Sequence, residues 1–68
     1  MKISARNVLP GRVVTVTKGA TTALVKVELS DGLMVTSSIT NEAIDDLAIK
    51  VGDSVFVVIK SSDVMIGK

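Results

Sequence analysis

Thr22-Ala23-Leu24-Val25-Lys26-Val27-Glu28-Leu29-Ser30 alternates apolar with polar residues except at Leu24 and runs directly into Asp31-Gly32. Ala23, Val25, Val27 and Leu29 fall on one face and Thr22, Leu24, Lys26 and Glu28 on the other, the period of two that a strand buried on one side requires. Asp31-Gly32 predicts a tight hairpin, because these residues supply the positive-φ positions of a turn between twisted strands. Leu33 to Ile39 reads as the returning partner, with Leu33, Val35, Ser37 and Ile39 on one side and Met34, Thr36 and Ser38 on the other.

Upstream of this hairpin, Arg12 to Lys18 is dense in β-branched residues with a partly alternating pattern and predicts another strand, closed by a turn at Gly19-Ala20-Thr21. Leu9-Pro10-Gly11 reads as a breaker that ends the opening segment, since Pro fixes its own φ and lacks a donor. Downstream, the period changes. Ala43, Ile44, Leu47 and Ala48 recur at helical spacing, Thr40 or Asn41 can act as N-cap, Lys50 suits the C-terminal end of the dipole, and Gly52 stands where the helix must have stopped. A helix of two to three turns is expected. Ser54-Val55-Phe56-Val57-Val58-Ile59-Lys60 then loads both faces of one strand with apolar residues, so its second face needs a barrel interior or a neighbouring subunit as cover. Ser61-Ser62-Asp63 reads as a turn, with Val64-Met65-Ile66 as a last short strand. Four or five short strands with one helix before the last long one predict an all-β fold. Its form would be a small, partly closed Greek-key barrel of the oligonucleotide/oligosaccharide-binding type.

With 68 residues the chain is expected to form one domain, residues 1–68, with a marginal core. Disulfides and structural zinc are ruled out by the absence of Cys and His. Self-association is the staple left. Apolar residues make up 47% of the sequence and mean hydropathy is +0.54, more than so small an interior can hide. No stretch approaches the ~20 apolar residues of a membrane span, and Lys2 and Arg6 interrupt any signal-peptide core. A soluble, cytoplasmic protein is expected. Eight basic against seven acidic residues give a net charge of +1, and one Phe is the sole aromatic residue. Nucleic-acid binding needs a basic stripe and, for single strands, stacking aromatics, and neither is present.

Without His or Cys the common nucleophile and base pairs cannot be assembled, so the chain reads as a binding module and not an enzyme. No residues present themselves as direct metal ligands, because Asp45 and Asp46 are adjacent on a helix, diverge, and read as a solvated face. The concentrated chemistry lies at the two ends. Ser4, Arg6, Lys60 and Ser61, with the backbone N–H groups of Ala5 and Ser62, are all donors. A planar guanidinium, a mobile ammonium and short hydroxyls together call for an anion.

Ser4-Ala5-Arg6-Asn7, paired at this distance with Lys60-Ser61-Ser62-Asp63-Val64-Met65, resembles the molbindins, the small molybdate-binding Mop proteins. Gly19-Ala20, Ile39-Thr40 and Val51-Gly52-Asp53 extend the resemblance over the whole chain. It implies an oligonucleotide/oligosaccharide-type barrel assembled as a homohexamer, a trimer of dimers, that stores or buffers molybdate or tungstate between subunits. It implies an oxyanion site of Ser4, Ala5, Arg6, Lys60, Ser61 and Ser62. A second oxyanion site, which relies more on backbone donors, would match Lys18, Gly19 and Ala20. No further cofactor is implied. Two other functions compete: a nucleic-acid-binding barrel, and a purely structural oligomerisation module in which Arg6 and Lys60 pair with acids.

Overall fold

The computed structural model describes residues 1–68. One antiparallel sheet holds four strands, β1 (Asn7–Lys18), β2 (Thr22–Leu29), β3 (Met34–Thr40) and β4 (Ser54–Ile59). A short helix, α1 (Asn41–Asp46), separates β3 from β4, and a single 3-10 turn follows at Ser61–Asp63. The spatial order β3-β2-β1-β4 is that of a Greek key, in which three hairpin-linked strands are joined by a fourth that returns beside the first. Because β3 and β4 do not pair, the curled sheet is a half-barrel with one open seam. The partly closed, strand-rich barrel with one helix is thus the architecture found.

β1 is the spine of this arrangement. It pairs with β4 from Asn7 to Arg12 and with β2 from Gly11 to Lys18, so the expected break at Leu9-Pro10-Gly11 does not occur. The reason lies in which edge each residue addresses. Val13 donates its N–H to the Asp53 carbonyl at 3.0 Å and accepts from the Gly52 N–H at 2.8 Å. By alternation, the nitrogen of Pro10 faces the other edge, beyond Leu29 where β2 has already ended. The missing donor therefore costs no ladder bond. Gly11 serves close approach: a Cβ there would lie 2.5 Å from Val27 Cγ1 and 2.9 Å from the Glu28 carbonyl oxygen. The partial alternation of the Arg12–Lys18 stretch also has a cause. A bulge between Val13 and Thr15 shifts the register, so Val13 is buried, Val14 beside it is half-buried, and the next residue packed on the core is Val16.

β2 alternates as its sequence predicts, with Ala23, Val25 and Val27 buried and Thr22, Leu24, Lys26 and Glu28 exposed. The hairpin after it differs from the two-residue turn. Gly32 alone takes positive φ, at 79°, and donates to the Leu29 carbonyl at 3.0 Å, while the Leu29 N–H donates to Leu33 at 2.8 Å. This is a three-residue loop of a type I turn closed by a left-handed glycine.

Thr40 caps α1 as expected, its Oγ1 accepting from the Ala43 N–H at 3.0 Å. The helix is shorter than its sequence predicts. The Ala48 N–H donates to the Asp45 carbonyl and the Ile49 N–H to the Ile44 carbonyl, the paired bonds of a Schellman stop. Leu47 and Ala48 therefore end the helix, several residues before Gly52, and Lys50 lies outside its last turn. Ile49, packed against the core cluster to which Ile44 belongs, favours this early exit. Ala48 adopts φ 50°, a left-handed position that favours glycine.

Val64–Ile66 forms no strand, and Met65 and Ile66 are more than 90% exposed. The core comprises Val13, Ala23, Val25, Val27 and Ile44, flanked by Val16, Leu29, Ile39, Ile49, Val55 and Val57. On β4, Val55, Val57 and Ile59 turn inward while Phe56 and Val58 lie bare. An apolar groove of about 210 Å3 runs along the open seam, lined by Ile39, Ile49, Val55 and Val57 among others. No helix is long and apolar enough to cross a membrane.

Two substitutions test this backbone. Gly11→Ala should lower stability by about 1–3 kcal/mol, because the Glu28 carbonyl beside it is main chain and cannot swing away. Ala48→Gly should raise it by about 0.5–1 kcal/mol, as the relief of left-handed strain exceeds the added chain entropy. Both are read as shifts of the urea midpoint at fixed protein concentration.

Candidate functional site

β1 and β4 end at the same place. Their last register pair is Asn7–Ile59, and one residue further along each strand stand Arg6 and Lys60. The two cations therefore flank the same end of one strand pair, within a single chain. The Asn7 side chain reinforces the junction, Nδ2 donating to the Ile59 carbonyl at 3.1 Å. Sequence reasoning quoted Asn7 as part of a pattern without assigning it this duty. A strand-end amide opposite a carbonyl is the signal that a known register would have supplied.

Beyond Lys60 the chain turns sharply. The Asp63 N–H donates to the Lys60 carbonyl at 2.9 Å and the Val64 N–H to the Ser61 carbonyl at 3.3 Å. The turn's own bonds thus leave out the N–H groups of Ser61 and Ser62, and its side-chain hydroxyls are exposed. Ser4 and Arg6 are exposed as well, and Ala5 is half-buried. The chain's one ion pair joins Lys18 to Asp45, so neither Arg6 nor Lys60 has a carboxylate within 4 Å. Two unneutralised cations held at one strand end repel each other, and an anion between them removes that repulsion and adds charge-assisted hydrogen bonds. None of the three concavities of the chain is lined by Ser4, Ala5, Arg6, Lys60, Ser61 or Ser62. The donors lie on open surface.

Lys18, Gly19 and Ala20 lie at the opposite end of β1, in the turn to β2. Gly19 donates its N–H to the Thr22 carbonyl at 2.7 Å. Asn41, the first residue of α1, holds the turn from the side: its Nδ2 donates to the Gly19 carbonyl at 3.0 Å and its N–H to the Thr21 carbonyl at 2.9 Å. Lys18 Nζ donates to Asp45 Oδ1 at 2.7 Å. From sequence alone Asp45 reads as part of a solvated helix face. That this face lies over the β1–β2 turn depends on how the helix is docked, which local spacing does not encode. The structure thus groups the nine candidate residues into two sets at opposite ends of β1.

The fold and these two sets can be set beside known proteins. A family profile described as the TOBE domain matches residues 3–66. "Molybdenum-pterin-binding protein 3" of Clostridium pasteurianum is 53% identical over 66 residues, which is 97% of each chain. The solved structure of MopII from Clostridium pasteurianum superposes with a TM-score of 0.93 at 43% identity, over 98% of this chain and all of that one. A molybdate-binding protein from Sporomusa ovata superposes with a TM-score of 0.95 at 31% identity over the full length of both.

The Asn7 bond is open to test. Asn7→Ala should lower stability by about 0.5–1.5 kcal/mol, the usual worth of one hydrogen bond. It should also speed amide exchange in the paired ends of β1 and β4, Asn7 to Leu9 and Val57 to Ile59, relative to β2, measured by hydrogen exchange.

Proposed function

The chain belongs to the TOBE-domain family and to the Mop proteins, and we propose that it binds molybdate or tungstate without turning it over, so as to store or buffer the oxyanion in the cytoplasm. Residues 1–68 act as one binding domain. The observation that carries this reading is the pair of unneutralised cations, Arg6 and Lys60, flanking the Asn7–Ile59 end of one strand pair. The proposed site draws on Arg6 and Lys60 for charge, on the Ser4 and Ser61 hydroxyls, and on the N–H groups of Ala5 and Ser62. A dianion taken from water loses a large hydration energy, so its site must return both charge and hydrogen bonds. Each hydrogen bond to an ionised group contributes roughly 1.5–3 kcal/mol, and a few of them together with two cations reach micromolar affinity.

Open surface alone cannot strip a dianion of water. A second copy closing over the donors would do so, and the bare apolar residues supply the reason for it to bind. Phe56, Val58, Leu47 and Val51 are exposed, more apolar surface than a monomer of this size usually shows. We take the assembly to be a homohexamer, a trimer of dimers, with the oxyanion at subunit interfaces. The Sporomusa ovata neighbour, named for molybdate, and the Clostridium pasteurianum relative, named for molybdenum-pterin, support the choice of ligand.

Calorimetric titration with molybdate tests the site. Arg6→Ala should weaken binding about 100-fold or more, the worth of at least one strong charge-assisted hydrogen bond, while the circular dichroism spectrum stays unchanged. In the unaltered protein, molybdate at a hundred times Kd should add about 2.7 kcal/mol of stability and raise Tm accordingly. Unaltered affinity in the variant would place the anion elsewhere.

A further inference from the structure

The two candidate anion positions differ in one respect that bears on how they fill. Arg6 and Lys60 have no acid within 4 Å, whereas Lys18, the sole cation of the β1–β2 turn set, is bound at 2.7 Å to the Asp45 carboxylate. That carboxylate is itself an oxyanion, delivered by α1 to the place where an incoming one would bind. From this we infer that Asp45 is a built-in competitor for the second site: it occupies Lys18, repels an arriving dianion, and makes the turn fill only after the Arg6–Lys60 site. The inference rests on the reading of Lys18, Gly19 and Ala20 as an oxyanion site.

Several features make the competition physical. The pair is exposed, at 47% for the Lys18 side chain and 67% for that of Asp45, and exposed ion pairs are weak enough to exchange partners. The turn itself is held without Asp45, by the Asn41 bonds to Gly19 and Thr21 and by the Gly19–Thr22 bond. Releasing the pair therefore frees the ammonium without unmaking the turn. Gly19 keeps its N–H on Thr22, and the positive charge of this set comes from Lys18 alone, so an acid that holds it acts directly on affinity. Asp46, next in sequence and also exposed, has no cation within 4 Å and makes no side-chain hydrogen bond. It carries the same charge near the same helix end, and so serves as the control.

Molybdate titration of Asp45→Asn and Asp46→Asn, by calorimetry at low ionic strength and again at 0.5 M NaCl, tests the inference. Asp45→Asn should tighten the weaker binding step about tenfold at low salt, an effect that shrinks at high salt, and leave the tighter step unchanged. Asp46→Asn should change neither step by more than about twofold. Equal effects of the two substitutions, or none from Asp45→Asn, would overturn the inference and reduce Asp45 to a surface charge. A single step in every variant, lost on Arg6→Ala, would overturn it as well, because the turn would then bind no anion, and the molybdate-binding reading would stand. No binding in any folded variant would remove both.

Discussion

The structure depends on β1 having two partners. Along its first half it is paired with β4, along its second with β2, and the handover falls at Gly11–Arg12, where both are present. Two strands can crowd one only where side chains give way, and Gly11 is that place. A sheet that must pass from one partner to the other about a bulged strand cannot stay flat. It curls, and the curl brings Val13, Val25 and Val27 around Ile44. The same handover decides the site. β4 ends level with the start of β1, so Asn7 and Ile59 meet although they are 52 residues apart in sequence, as the bond between them records.

The core that results is small, five buried residues with six more packed on them. It is all aliphatic and contains no buried polar side chain, so every charged group of the chain lies at the surface. This placement suits a protein that handles an anion. The barrel can be sealed with hydrocarbon, and the cations can be spent at strand ends, where backbone N–H groups are left over by the pairing. The candidate donors thus stand at the tips of β1, while its middle carries the pairing and packing and one exposed cation, Arg12.

Much of this was legible in the sequence, and unevenly so. The alternation of Thr22–Leu29 is a local property, and β2 is buried and exposed residue for residue as it predicts. The Thr40 cap was equally local. The errors fall where a tertiary contact overrode a local preference. Pro10 lies within a strand because its nitrogen meets an empty edge, a fact about where β2 ends and not about proline. The helix ends at Leu47 because Ile49 is wanted in the core, although Ala48 must take a left-handed turn to allow it. Val64–Ile66 has the composition of a strand and no neighbour in its own chain with which to pair. At the site, the donor types and their two locations along the sequence were readable, since Arg, Lys and Ser cluster there, with Asp63 the one acid among them. The Lys18–Asp45 pair was not, because it joins a turn to a helix across 27 residues, and no spacing rule connects them.

The length of β1 has one more effect. Its 12 residues set its two tips apart by roughly 3.3 Å per residue, less what the curl takes back. That is several times the ~8 Å over which salt water transmits an electric field at physiological strength. An ion resting at one pole of the barrel is therefore invisible, as a charge, to the other. Whatever communication the two poles have must be mechanical, carried by the shared strand or by neighbouring copies, and would survive in concentrated salt.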